Sequence, residues 1–241
     1  MVRLLILAAS LALHELAHMG LVRAFGGKVH GARVSIVGLT AWVRGLEMLS
    51  AWKRYAVYLA GPGVNALLAI AALLLHNQEA FTINLALCVF NLLPILPLDG
   101  GRLAQIFLGN RIGAMRANRV LLKIGPPVGF MLMGLGLVQV VLFPWNISLV
   151  CAGYYIRRKY KDMPVHLYWE CLRALEAKKN RDLPTKKIIL PEGTTASQAV
   201  AHLGWDYFTE VWVGGEVVHE GELVELVLRP IAIKQDLTRQ A

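Results

Sequence analysis

His14-Glu15-Leu16-Ala17-His18 is the stretch of this chain best equipped to do chemistry. On a helix, residues four apart share a face, so both imidazoles can reach one Zn²⁺ at about 2.0–2.1 Å. Glu15 is offset by one residue, which puts its carboxylate beside such a metal rather than on it. There it can take a proton from an attacking water, whose pKa zinc lowers to about 7. The ordinary alternative is a pair of histidines hydrogen-bonded inside a helix bundle, with Glu15 as their partner. A catalytic zinc takes three protein ligands and keeps one position open, so a third polar residue is expected at similar depth on another segment. Asp99 is the candidate, in the run Asn91-Leu92-Leu93-Pro94-Ile95-Leu96-Pro97-Leu98-Asp99-Gly100-Gly101-Arg102. Pro94 and Pro97 break a helix there, and Gly100 and Gly101 permit close backbone approach. A helix C-terminus is a poor place for a carboxylate, because the dipole is negative at that end, and this misfit favours a ligand role.

The elements that must carry these residues are apolar. Of 241 residues, 56% are hydrophobic, above the roughly 45–50% of ordinary soluble domains. The mean hydropathy is +0.51. Apolar runs occupy about residues 3–22, 54–75, 81–98, 121–142 and 144–156. The first four approach the roughly 20 residues needed to cross a bilayer. The first run follows Arg3 like a signal peptide, but it carries two imidazoles and a carboxylate and has no small-residue cleavage site, so it reads as a transmembrane helix.

Charge fixes the expected topology. Arg23, Lys28, Arg33, Arg44, Lys53 and Arg54 separate the first two runs; Arg102, Arg111, Arg116 and Arg119 separate the third and fourth; Arg157, Arg158, Lys159 and Lys161 follow the fifth. The intervening loops at 76–80 and 143–144 carry no Lys or Arg. Five spans put every basic loop on one side, the cytoplasmic one, with the N-terminus outside and the C-terminus inside. A four-span chain would strand the last cluster outside. The formal charge of +9 is thereby explained by topology, with no direct nucleic-acid partner. On a helix rising 1.5 Å per residue, His14 and His18 sit roughly 6–12 Å from the Val22 end, inside the membrane near its cytoplasmic face.

Residues 28–44 are β-branched, aromatic and broken by glycines, which predicts a strand or hairpin lying against the membrane core. From about residue 160 the composition turns to that of a small soluble domain. An amphipathic helix at 166–178, a linker at 180–184, a strand at 186–190, a helix from near Thr194 to 203, strands at 209–213 and 216–219 joined by Gly214-Gly215, and a short helix at 222–228 are expected. Cys88, Cys151 and Cys171 are isolated, so neither a disulfide framework nor a cysteine zinc site is expected. His30, His76, His202 and His219 read as surface or satisfied histidines, and Glu170 with the charged stretch 173–179 as a solvated helix face. Residues 129–136 read as a small-residue helix-packing surface.

HExxH in the first span, with N-x-x-P-x-x-P-L-D-G-G in a later one, resembles the site-2 protease family of intramembrane zinc metalloproteases (peptidase family M50). Gly61-Pro62-Gly63-Val64-Asn65 resembles that family's G-P-x-x-N motif. The resemblance covers about residues 3–157. It implies His14, His18 and Asp99 as zinc ligands, Glu15 as general base, and Asn91, Pro94, Gly61 and Asn65 as residues that hold substrate or the oxyanion. The tail looks like one half of a CBS pair, which is similar to the SpoIVFB-like sporulation-protease subgroup.

The fold class expected is thus a polytopic α-helical membrane protein, with about five transmembrane helices and a membrane-associated β-hairpin, plus a small α/β CBS-like cytoplasmic domain. The expected divisions are a metalloprotease core at 1–157, a helical linker at 158–184 and the CBS-like domain at 185–241. The resemblance implies Zn²⁺ as cofactor and ATP or another adenine nucleotide at the CBS-like domain. It also implies a homo-oligomer formed through that domain, inhibitory membrane proteins, and a membrane-associated substrate such as a sigma-factor precursor. The setting would be a bacterial cell or forespore membrane. The rivals are a catalytically inactive zinc-binding scaffold and a transporter; a transporter would spread polar residues over several spans, whereas here the ionisable groups gather in one cluster.

Overall fold

The computed structural model describes residues 2–35, 38–44, 46, 49–142, 147–161, 163–178, 182–223 and 226. The chain divides into two compact units, Met1–Ala104 and Gln105–Ala241. Each is described separately.

The first unit opens with α1 (Val2–Ala24), which carries the HExxH residues. Its apolar residues surround the helix rather than forming a stripe, as expected of a helix with no water on any side. Gly26, at φ 83°, turns the chain out of it. An antiparallel hairpin follows, β1 (Lys28–Ser35) with β2 (Gly38–Arg44), in register from Lys28↔Arg44 to Ser35↔Gly38 with a bulge between Val29 and Gly31. Both strands pack on α1, so the expected hairpin is present. Next come α2 (Ala51–Leu74), containing Pro62, and α3 (Gln78–Asn91), capped by the Asn77 side chain, which accepts from Ala80 N. Both pack on α1.

The apolar run at 81–98 does not form one continuous helix. α3 stops at Asn91, and residues 92–98 form tight turns with a cis Leu96–Pro97 peptide before α4 (Asp99–Ile112) begins. Pro94 and Pro97 cannot donate to a continuing ladder, which accounts for the break. A Cβ on Gly100 would overlap the Leu92 carbonyl, and one on Gly101 the Ile95 carbonyl. The first turn of α4 therefore lies directly on the backbone of the preceding segment, an approach only glycine permits. Asp99 thus opens a helix. The dipole argument that placed it at a helix C-terminus is overturned, and its carboxylate instead sits at the favourable positive end.

The second unit contains the rest of α4, α5 (Ala114–Leu142), α6 (Ser148–Tyr160), α7 (Met163–Lys178), β3 (Thr185–Leu190), α8 (Ala196–Val200), β4 (Phe208–Val213) and β5 (Glu216–His219). α5 and α6 meet through small residues: a Cβ on Gly129 would press on Gly153 O and Arg157, and one on Gly136 on Val150. Gly134, in the same stretch, faces nothing. The helix-packing surface read from 129–136 is therefore present but narrower than expected. Among the described residues, three helices are long and apolar enough to cross a membrane: α1, α2 and α5.

In the tail, β3 pairs parallel with β4, and β4 pairs antiparallel with β5 through Gly214-Gly215, both at positive φ. A capping box starts α8, with Thr195 and Gln198 each bonding the other's backbone N–H. Leu203, Trp205, Val211 and Leu223 form a core with Ala114 at the start of α5. His202 is satisfied, facing an Arg116 guanidinium nitrogen at 2.6 Å; burial and that cation hold its pKa below the usual range. The expected helix at 222–228 falls mostly outside the described residues.

Lys178 corrects the reading of 173–179 as a solvated face. It is 1% exposed, and its Nζ donates to Glu220 Oε1 at 2.6 Å, while Glu220 Oε2 accepts from Thr209 N at 2.9 Å. A buried pair is costly to break from one side, because the remaining charge is orphaned. Glu220→Ala is expected to destabilise the tail by about 3–5 kcal/mol. Lys178→Met combined with Glu220→Leu should cost clearly less. Denaturant unfolding followed by Trp fluorescence checks both, and equal losses for the two variants would contradict the pairing.

Candidate metal centre

α1 presents His14 and His18 on one face, with ring centroids 4.8 Å apart and planes at 77°. Asp99, the first residue of α4, meets them. The three side chains form a group of potential metal ligands. His14 Nε2 lies 3.1 Å from His18 Nε2 and 3.1 Å from Asp99 Oδ2, and His18 Nε2 lies 3.3 Å from that oxygen. Asp99 Oδ2 is buried and accepts no hydrogen bond among the described residues.

Both imidazoles are held from behind. His14 Nδ1 donates to Asn65 Oδ1 at 2.5 Å, and His18 Nδ1 donates to the Val57 carbonyl at 2.6 Å. An oxygen acceptor at Nδ1 puts the proton of a neutral ring there and leaves the Nε2 lone pair facing inward. Two nitrogen lone pairs and one carboxylate oxygen then face one another within about 3 Å of mutual separation. They repel unless a cation lies among them. Ligands at zinc distances in tetrahedral geometry are about 3.3 Å apart, close to the separations observed. Two nitrogens and one oxygen are also a donor set that zinc takes at catalytic sites. The residues present therefore fit the metal.

Space for it comes from α2. A Cβ on Gly61 would overlap Nε2 of both His14 and His18, so only glycine leaves the region around the ligand atoms open. Pro62, which follows, is buried, and Asn65, one turn on, is 0% exposed. Glu15 is half-buried on α1 and within electrostatic reach of His14, His18 and Asp99.

The residues expected to hold substrate are placed differently from one another. Gly61 and Asn65 lie directly against the imidazoles. Asn65 spends its oxygen on His14 and its Nδ2 on Asn84 Oδ1, 3.0 Å away. Asn91 is half-buried at the end of α3 and donates to Leu87 O at 3.0 Å, and Pro94 is exposed in the turn that follows. Asn84 itself, 3% exposed, went unnoticed in the sequence. The available signal was an amide in the middle of an apolar run, a costly placement in a membrane without a partner.

Residues 76–135, which include Asp99, match the model of Peptidase family M50. A zinc metalloprotease of Methanocaldococcus jannaschii is 24% identical over 164 residues, 63% of this chain and 46% of that protein. Stage IV sporulation protein FB of Bacillus subtilis is 33% identical over 129 residues, 50% of this chain and 45% of that protein. The chain thus spans less than half the length of either curated relative. The solved site-2 protease from Methanocaldococcus jannaschii superposes with a TM-score of 0.53 at 23% identity, covering 66% of this chain and 76% of that one, a likeness of fold. Over residues 76–135 the chain is thus similar to Peptidase family M50, and over about two thirds of its length it shares the fold of a solved site-2 protease.

Proposed function

We propose that the chain is an intramembrane zinc endopeptidase, with His14, His18 and Asp99 as ligands and Glu15 as general base. The observation that carries the reading is the triangle of inward-facing ligand atoms, 3.1, 3.1 and 3.3 Å on its sides, two of them on α1, a helix long and apolar enough to span a bilayer. Zinc bound there would supply a Lewis acid for the scissile carbonyl and acidify the attacking water. Glu15 takes the water's proton on its carboxylate and returns it to the leaving amine. The Nδ1 bonds to Asn65 and Val57 hold both rings still through those transfers. Asn91 and Pro94, beside Asp99 in sequence, are the proposed contacts for the substrate backbone. Local unwinding of the substrate, with pairing to the hairpin edge, would expose its peptide bond.

Several finer points belong to the same proposal. Five spans are proposed, α3 and α6 being the two additional ones, because that count alone keeps the basic clusters on the cytoplasmic side. The proposed divisions are a protease core at 1–157, a linker at 158–184 and a CBS-like cytoplasmic domain at 185–241. The observed β3-α8-β4-β5 order supports the last of these. A single half-pair would associate with a second copy and offer a site to an adenine nucleotide. The match to a sporulation protein makes a membrane-associated sigma-factor precursor the first substrate to try, in a bacterial cell or forespore membrane.

Zinc analysis of the detergent-purified chain tests the centre without any substrate. About one zinc per wild-type chain is expected, with loss of at least tenfold in affinity for Asp99→Ala and for Gly61→Ala, whose new methyl group occupies the ligand cradle. A folded wild type that takes up no zinc would leave only a scaffold. Glu15→Gln should keep its zinc yet cleave a membrane-tethered substrate about 10²–10⁴-fold more slowly; undiminished cleavage would remove Glu15 from its role. Sedimentation in mild detergent is expected to find more than one copy per particle, and a monomer would rule out association through the tail.

A further inference from the structure

A line of amides runs behind the metal ligands, away from the proposed chemistry. The Ala80 carbonyl accepts from Asn84 Nδ2 at 2.9 Å, Asn84 Oδ1 accepts from Asn65 Nδ2 at 3.0 Å, and Asn65 Oδ1 accepts from His14 Nδ1 at 2.5 Å. Each link dictates the next. A backbone carbonyl can only accept, so Asn84 must turn its NH₂ to Ala80 and its oxygen to Asn65. Asn65 must then offer NH₂ to Asn84, which leaves oxygen for His14. His14 is left to carry its proton on Nδ1 and its lone pair on Nε2, the state a metal ligand needs.

We propose that Asn84 is a positioning residue for the metal centre, setting the tautomer of His14 through the orientation of Asn65. The inference rests on the zinc reading above. Without an acceptor at position 84, the Asn65 amide loses the partner that distinguishes its two ends. Turned over, it points NH₂ at His14 Nδ1, and the ring must then hold its proton on Nε2, where the metal belongs. The burial of both amides, at 0% and 3% exposure, keeps water from replacing the lost partner. His18 needs no such device, because its acceptor is the Val57 backbone.

The competing reading makes Asn84 a plain polar contact between α2 and α3. The two readings differ in how positions 84 and 65 couple. Aspartate at 65 has two acceptor oxygens and nothing to turn over, so removing the side-chain oxygen at 84 cannot reverse it. Zinc affinity of the full chain in detergent is measured by competition with a chelator for wild type, Asn84→Leu, Asn65→Asp and the double variant. Asn84→Leu is expected to weaken zinc binding about 10–100-fold. Adding Asn84→Leu to Asn65→Asp should cost less than about threefold beyond Asn65→Asp alone, because aspartate has no amide to turn over and the leucine also removes the oxygen that would face its carboxylate. On the metal-stripped full chain, ¹⁵N-histidine spectra should show His14 protonated at Nδ1 in wild type and divided between both tautomers in Asn84→Leu. Equal zinc losses in the two backgrounds, or an unmoved His14 tautomer, would overturn the proposal. Should Asn84→Leu not fold, Asn65→Asp beside Asn65→Leu decides, since equal losses in that pair would also overturn it. A wild type that binds no zinc sinks the metal reading instead, and the tautomer measurement still judges the amide line by itself.

Discussion

Three electron-rich atoms turned toward one point repel one another, and in apolar surroundings there is no water to weaken that repulsion. Each helix of the first unit answers this constraint. α1 supplies two nitrogens at helical spacing and α4 supplies an oxygen at its first residue. α2 contributes Val57 and Asn65, the two acceptors that keep the rings turned inward. α3 then satisfies the amide of Asn65. The proposed metal site is therefore the meeting point of four helices rather than a property of the HExxH helix. Stabilising such an assembly requires a bound cation on one side and complete hydrogen bonding on the other.

Absent side chains matter as much as the ligands. Gly61 leaves room at the nitrogens, while Gly100 and Gly101 let the turn that delivers Asp99 rest on bare backbone. In each case the space a methyl group would fill is taken by a functional or backbone atom. These glycines stand at close approaches, where a helix would otherwise prefer alanine.

What the sequence made legible was chemistry with short-range spacing. His14 and His18 are one helical turn apart, and the hairpin at 28–44 and the strand order of the tail follow local patterns of β-branched residues and glycines. Asp99 could be found because an acidic group after a long apolar run is conspicuous, although its place at the start of a helix rather than the end of one was misjudged. That depended on α3 ending at Asn91, seven residues before the apolar run itself ends, and apolar composition alone does not mark where a helix stops. Lys178 was misread for a different reason. Its partner, Glu220, lies 42 residues away, and no pattern local to α7 separates a buried lysine from an exposed one. Asn84 was overlooked likewise, because its meaning comes from Asn65 on another helix.

The two imidazoles are oriented by unlike means. His18 leans on a main-chain carbonyl, which every residue at position 57 would provide, so no substitution there removes the acceptor itself. His14 leans on a side chain, which leans on another. Under the zinc reading proposed above, natural variation or laboratory evolution that adjusts how firmly the site would grip an ion, or which ion it would prefer, therefore has one adjustable screw behind the ligands and one welded joint. Relatives with altered metal preference should carry their changes around position 65 far more often than around position 57.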